Sequence, residues 1–190
     1  MIPGYGSLAR LSVALLAASP VASGSGAEVL VAGCGTGSEL LEAVAQRPDW
    51  ALTALDPSAE MLQEARQRLG EQASIQWQQS TVEALVDAPG MAGRFAGALS
   101  VLVLQSLPDD GSKLAFLTAL ARCLQPGAQL VLVAGDLFDS PTPDSTAVLE
   151  VLERIGEMEV PVLVIPGNHD HGAPAGLMRW VTTTNHKDIG

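Results

Sequence analysis

Basic residues are scarce in this chain of 190 residues: Lys and Arg number 10 against 21 Asp and Glu, for a formal net charge of -11. With no basic stripe to displace counterions, neither a nucleic-acid backbone nor an anionic membrane surface is expected as a partner. Cysteine is nearly absent as well. Cys34 and Cys123 are the only two, so no disulfide framework is expected, and a reduced, cytoplasmic setting fits. No apolar run reaches the roughly 18 residues that span a bilayer. Aromatic residues make up 4% of a chain that is 47% hydrophobic, which predicts a core of Ala, Leu and Val. What remains open is a small-molecule partner for one domain with a sizeable core.

Apolar runs of strand length alternate with segments of helical period along nearly the whole chain. The strands are expected at 28–32, 51–55, 74–78, 95–102, 129–134 and 160–165. The helices are expected at about 7–18, 38–46, 59–69, 111–124 and 143–158, the last with Thr142 as N-cap and Pro143 at its first position. The first of these, in "LARLSVALLAASPVASG", reads as a helix packed against the sheet, with a secretory signal as the alternative. Such alternation means right-handed crossovers and a mostly parallel sheet covered on both faces. The fold class is α/β, Rossmann-like and doubly wound. "ASGSG" before the first strand and "SPTPD" after the fifth read as candidate boundaries.

In "EVLVAGCGTGSELLEA" a strand runs into Gly33-Cys34-Gly35-Thr36-Gly37 and then opens a helix. Glycines there permit positive φ and let the backbone approach a ligand at a helix N-terminus. The spacing is GxGxG; a dinucleotide fingerprint would have its third glycine at 38, where Ser38 stands. No GK[ST] follows, so a P-loop is excluded. About 20 residues on, the second strand ends in Asp56, where a carboxylate can accept hydrogen bonds from ribose hydroxyls.

With these residues in view, the chain from about 2 to 134 resembles a class I S-adenosylmethionine-dependent methyltransferase of the small-molecule type. "IPGYGSLARL", "VLVAGCGTG", "WALTALDPSAEMLQEARQRL" and "LVLQSLPDDGSKLAFLTALARCLQPGAQLVLV" carry that resemblance in order and spacing. It implies S-adenosyl-L-methionine as cofactor. Gly33, Cys34, Gly35, Thr36 and Gly37 would wrap its methionine part, and Asp56 and Pro57 would lie at the ribose. Thr81 and Val82 would lie at the adenine, Ser100 and Val101 beside the methionine end, and Tyr5 in an N-terminal lid. The expected sheet order is 3-2-1-4-5-6, with the sixth strand supplied by the βα unit after residue 134 and the cofactor at the switch between strands 1 and 4. Three positions depart from the family pattern, with Val31, Thr81 and Ala96 where relatives often carry acids. Methyl transfer asks little acid–base chemistry of the protein, so no catalytic residue is singled out. Asp109 and Asp110 read as the N-terminal turn of a helix.

After Val133 that pattern stops. "LVLVAGDLFDSPTPDSTAVLEVLERIGEMEVPVLVIPGNHDHGAP" resembles a metallophosphoesterase, with GDxxD at 135–139 and GNHD at 167–170. The resemblance makes Asp136 and Asn168 ligands of a divalent metal and places His169 at the phosphoryl group. A metal-dependent phosphoesterase is therefore the alternative function. Its partners D-x-H and a later G-H-x-H are missing: the only H-x-H is His169–His171, inside GNHD itself. A two-metal centre needs ligands from several strand ends. Finally, "MRWVTTTNHKDIG" resembles the start of the large subunit of cytochrome oxidase, without the membrane helix that follows there. Three unrelated signatures suggest a composite sequence. The expected organisation is a single Rossmann-like domain over 1–172, methyltransferase-like to 134 with a grafted phosphoesterase-like βα unit at 135–172, and an irregular tail over 173–190.

Overall fold

In the computed structural model, which describes residues 5–70, 75–108, 110–135 and 162–166, the Val- and Leu-rich runs pair side by side. The strands are β1 (Glu28–Ala32), β2 (Ala51–Asp56), β3 (Ile75–Gln79), β4 (Phe95–Val101), β5 (Leu124–Gly135) and β6 (Val162–Pro166). They form one sheet in the order β3-β2-β1-β4-β5-β6, and every adjacent pair is parallel. All strand carboxyl ends therefore lie on one edge. Helices α1 (Tyr5–Ala17), α2 (Ser38–Gln46), α3 (Ala59–Leu69), α4 (Val82–Val86) and α5 (Ser112–Cys123) cover the two faces. The doubly wound α/β expectation and its strand order hold.

Parallel strands covered on both faces should be apolar throughout rather than alternating, and β4 is buried at every position. One face packs Val29, Val31, Leu99 and Val131 under Leu16, Leu40 and Leu62 of α1, α2 and α3. The other packs Leu30, Ala98, Leu130 and Leu132 under Leu85, Leu117 and Leu120 of α4 and α5. Each fully buried leucine contributes about 1.5–3 kcal/mol of hydrophobic stabilisation. Helix α1 lies so close to β4 that a Cβ on Gly97 would stand 2.6 Å from Leu16 Cδ1. That segment is thus a helix packed on the sheet. The edge strand β3 is polar ("IQWQQ") and mostly accessible, as expected of a strand at the border of the sheet rather than in its middle.

Helices α2 and α3 fall where the sequence puts them, and the structure adjusts several other bounds. Strand β5 begins at Leu124, not 129, because Leu124 pairs with Phe95 across a register shift; Gly127, at φ 79, turns the backbone in that stretch. Strand β4 stops at Val101 because Leu102 turns to φ 59. Helix α4 is absent from the sequence reading. Its five residues are too few to display a period, although Thr81 caps it by accepting a hydrogen bond from Ala84 N. The "ASGSG" stretch is no free linker. Arg47 donates to the carbonyls of Ala22, Ser23 and Gly24, and Trp50 Nε1 donates to Ala22 O at 2.8 Å. The helix expected at 143–158, the "SPTPD" turn and the tail lie outside the described residues.

Candidate cofactor site

Strand β1 delivers the glycine loop to the carboxyl edge, where the chain must turn sharply into α2. Gly33, Gly35 and Gly37 do so with φ of 69°, 50° and 84°, a region closed to most side chains at a cost of roughly 1–2 kcal/mol. Two of the three also lack room. A Cβ on Gly33 would overlap Val103 Cγ2, and one on Gly37 would stand 2.8 Å from Leu69 Cδ1. A Cβ on Gly35 would meet nothing within 4 Å, so the middle of the loop faces open space.

The loop is tied down by its own amides. Gly33 N and Cys34 N both donate to Leu55 O, at 2.8 and 3.0 Å. Gly35 N donates to Asp56 Oδ2 at 2.9 Å, and Ser58 N donates to Asp56 Oδ1 at 2.9 Å. Asp56 is thereby fixed between the two βα turns while 8% exposed. A carboxylate has about four lone-pair sites, so two such bonds leave capacity for hydroxyl donors. Gly37 caps α2 without any side-chain hydrogen bond.

Cys34 sits inside this loop but is chemically quiet. Burial, reinforced by the negative charges of Asp56 and Glu39, pushes its thiol up to about 12. A thiol needs its thiolate form to act as a nucleophile, so Cys34 serves packing. Pro57 follows Asp56 in the turn, where its carbonyl accepts from Gln79 Nε2 at 3.5 Å.

The other expected residues divide. Ser100 and Val101 end β4, next to β1, and Ser100 is fully buried with no hydrogen-bond partner for its Oγ. Thr81 Oγ1 accepts from Ala84 N to cap α4, and Val82 lies in the core. Ala96 and Val31, where acids were noted as missing, are both buried. Tyr5 begins α1. Asp110 accepts from Ser112 N and Oγ at 3.1 and 2.6 Å, the helix-start role expected of it; Asp109 is outside the described residues, as are Asp136, Asn168 and His169. Among the described residues no group of three or more His, Cys, Asp or Glu could hold a metal ion. No helix among them is long and apolar enough to cross a membrane.

Sequence reasoning missed Leu102, Val103 and Arg68. Leu102 carries the one positive φ outside glycine among the described residues and sets Val103 against Gly33. Arg68 Nη1 reaches from α3 to Thr36. Nothing in the spacing of these residues announces a contact that only the crossover geometry creates. A separate cavity of about 430 Å³ opens between α4 and α5, lined by Val86, Leu114 and Ala119 and by the Asp87–Arg122 ion pair. It shares no residue with the glycine loop.

This is a Rossmann-like sheet with a glycine turn and a strand-end carboxylate at its topological switch point. A family model described as "Methyltransferase domain" matches residues 29–127, just over half of the chain, and the chain belongs to that family. A second, "Calcineurin-like phosphoesterase", matches 104–188. A trans-aconitate 2-methyltransferase of Methylobacterium nodulans is 37% identical over 133 residues, covering 70% of this chain and 47% of the relative. A DNA double-strand break repair protein of Methanococcus maripaludis is 32% identical over 75 residues, covering 35% of this chain and 20% of that protein. Among solved structures, an amino pentose methyltransferase of Micromonospora echinaspora with S-adenosylmethionine bound superposes with a TM-score of 0.52 at 21% identity, covering 66% of this chain and 49% of that one. The chain spans about half the length of the curated methyltransferases it matches.

Proposed function

We propose that this chain binds S-adenosyl-L-methionine in the crevice between β1 and β4 and transfers its methyl group to a small molecule. The observation that carries the reading is the hydrogen bond of 2.9 Å from Gly35 N to Asp56 Oδ2, made across a loop whose centre has open space. It fixes a carboxylate beside a backbone that a ligand can approach. Family membership and the S-adenosylmethionine-bound neighbour support the same ligand.

Asp56 accepts the ribose hydroxyls with the lone pairs that Gly35 and Ser58 leave unused. Gly33 to Gly37 line the methionine part with backbone rather than side chains, and Pro57 keeps the turn beside the ribose stiff. Thr81 and Val82 flank the adenine, with the Thr81 hydroxyl accepting from Ala84 N at the start of α4. The buried, unpartnered hydroxyl of Ser100 and Val101 mark the methionine end. The sulfonium supplies an already activated methyl group, so the protein's contribution is to orient donor and acceptor in line and exclude water. Cys34, held protonated, takes no part in the transfer. The trans-aconitate 2-methyltransferase of Methylobacterium nodulans makes a small polycarboxylate the first acceptor to assay.

Titration calorimetry with S-adenosylhomocysteine tests this. Binding that Asp56→Ala weakens at least tenfold is expected; no binding at millimolar ligand, or binding indifferent to Asp56→Ala, sinks the reading.

The phosphoesterase match over 104–188 favours a second reading. In it Asp136 and Asn168 hold a divalent metal at the end of β5 and after β6. Mn²⁺-dependent hydrolysis of a nitrophenyl phosphodiester, abolished in Asp136→Ala, supports it, and its absence removes it. The overlap of two unrelated family matches supports a composite chain. Its single domain reaches about residue 172, and the tail over 173–190 includes the stretch resembling cytochrome oxidase.

A further inference from the structure

We infer that Arg68, in the last turn of α3, is a positioning residue that holds the glycine loop in its ligand-receptive shape; this rests on the cofactor reading above. Arg68 Nη1 donates to Thr36 O at 2.6 Å and to Thr36 Oγ1 at 2.8 Å. Both bonds are charge-assisted, the stronger class of hydrogen bond. The same face of α3 presses on the loop backbone one residue later, where a Cβ on Gly37 would stand 3.1 Å from Ala65 Cβ and 2.8 Å from Leu69 Cδ1.

The loop is thus held from both sides. Its first half hangs on Leu55 O and Asp56, which belong to β2. Its second half hangs on α3, and Arg68 is the one α3 side chain seen to hydrogen-bond it among the described residues. Thr36 Oγ1, accepting from Arg68, keeps its own proton to donate to an anionic group such as an amino-acid carboxylate. Because the loop serves the methionine part and Asp56 the ribose, losing Arg68 should fall on the amino-acid end of the ligand. Arg66 provides a matched control. It carries the same charge on the same helix, but its guanidinium lies over the Trp77 ring at 5.3 Å.

The test compares S-adenosylhomocysteine with methylthioadenosine, which lacks the amino-acid end, by titration calorimetry. Arg68→Ala should weaken S-adenosylhomocysteine about tenfold, the effect of losing a charge-assisted pair, and methylthioadenosine by less than about twofold. Arg68→Lys should recover part of the loss, because an ammonium can still donate to Thr36 O. Arg66→Ala should bind both ligands as wild type does. Equal weakening of both ligands, no weakening, or the same loss in Arg66→Ala overturns the inference. Hydrogen exchange in the ligand-free protein gives an independent reading: the amides of residues 35–37 should exchange faster in Arg68→Ala, and unchanged exchange also overturns it. Wild type failing to bind S-adenosylhomocysteine overturns the cofactor reading instead, and the exchange result alone then decides whether Arg68 holds the loop.

Discussion

The turns that follow β1 and β4 lie side by side on the carboxyl edge of the sheet, yet they are built in opposite ways. The first is satisfied throughout its first half: glycines occupy its positive-φ positions, and its amides reach Leu55 O and Asp56. The second carries a leucine at φ 59 and, two residues earlier, a buried hydroxyl with no partner. Unmet polar groups and unfavourable backbone conformations persist where the surrounding structure enforces them, and they concentrate at functional sites. On the proposed cofactor reading, the β1 turn is a preformed cradle, and the β4 turn is where a bound ligand would complete the structure.

The largest expected effect breaks the contact between the two turns. Gly33→Ala forces a side chain into Val103 at positive φ, and strain plus overpacking should cost roughly 2–4 kcal/mol by urea denaturation. Adding Val103→Ala should restore the steric share and leave the backbone share. Full recovery would mean that φ at Gly33 carries no cost.

Alkaline pH attacks the cradle from within. Cys34 and Cys123 have thiols raised by burial to about 12 and about 11, from the ordinary value of 9.0. Below pH 9 both states hold these protons. Above it the unfolded chain releases them first, so stability falls as pH rises from about 9 toward 11–12. Cys34→Ala should flatten the upper part of that decline in a pH series of melting temperatures. A decline unchanged in Cys34→Ala and Cys123→Ala would assign it elsewhere.

Ser100→Ala sharpens the contrast. Removing an unpartnered buried hydroxyl should stabilise the ligand-free protein by about 1 kcal/mol while weakening S-adenosylhomocysteine. A loss of stability would show that Ser100 Oγ already has a partner and that the two turns are alike. The smallest effect belongs to Leu102→Asn. It trades half-buried apolar area for a residue tolerant of positive φ, and should stay within about 1 kcal/mol of wild type. A cost like that of an ordinary core leucine would remove the strain from the β4 turn.

Legibility in the sequence follows the same division. The apolar runs "EVLVA" and "ALTALD", the glycine spacing and the carboxylate of Asp56 are local signals, and the structure brings the glycine turn and Asp56 together. Helix α3 likewise falls on its expected bounds, where the structure shows Ser58 accepting from Met61 N at 3.2 Å and Gly70 as C-cap. What the sequence hides is made by distance. Arg68 meets Thr36, 32 residues away, because a right-handed crossover lays α3 beside the loop. Val103 meets Gly33 because β4 lies beside β1. The positive φ of Leu102 has no signature, since leucine is among the residues least suited to it. Helix α4 is too short for periodicity, and the start of β5 at Leu124 is set by pairing with Phe95.

Amide chemical shifts during titration with S-adenosylhomocysteine test the central claim most directly. The predicted result is large, saturable changes at Gly33, Gly35, Gly37, Asp56, Ser100 and Val101, with Leu114 and Thr118 in the α4–α5 cavity unmoved. Changes confined to that cavity, or none at the glycine loop, would contradict it.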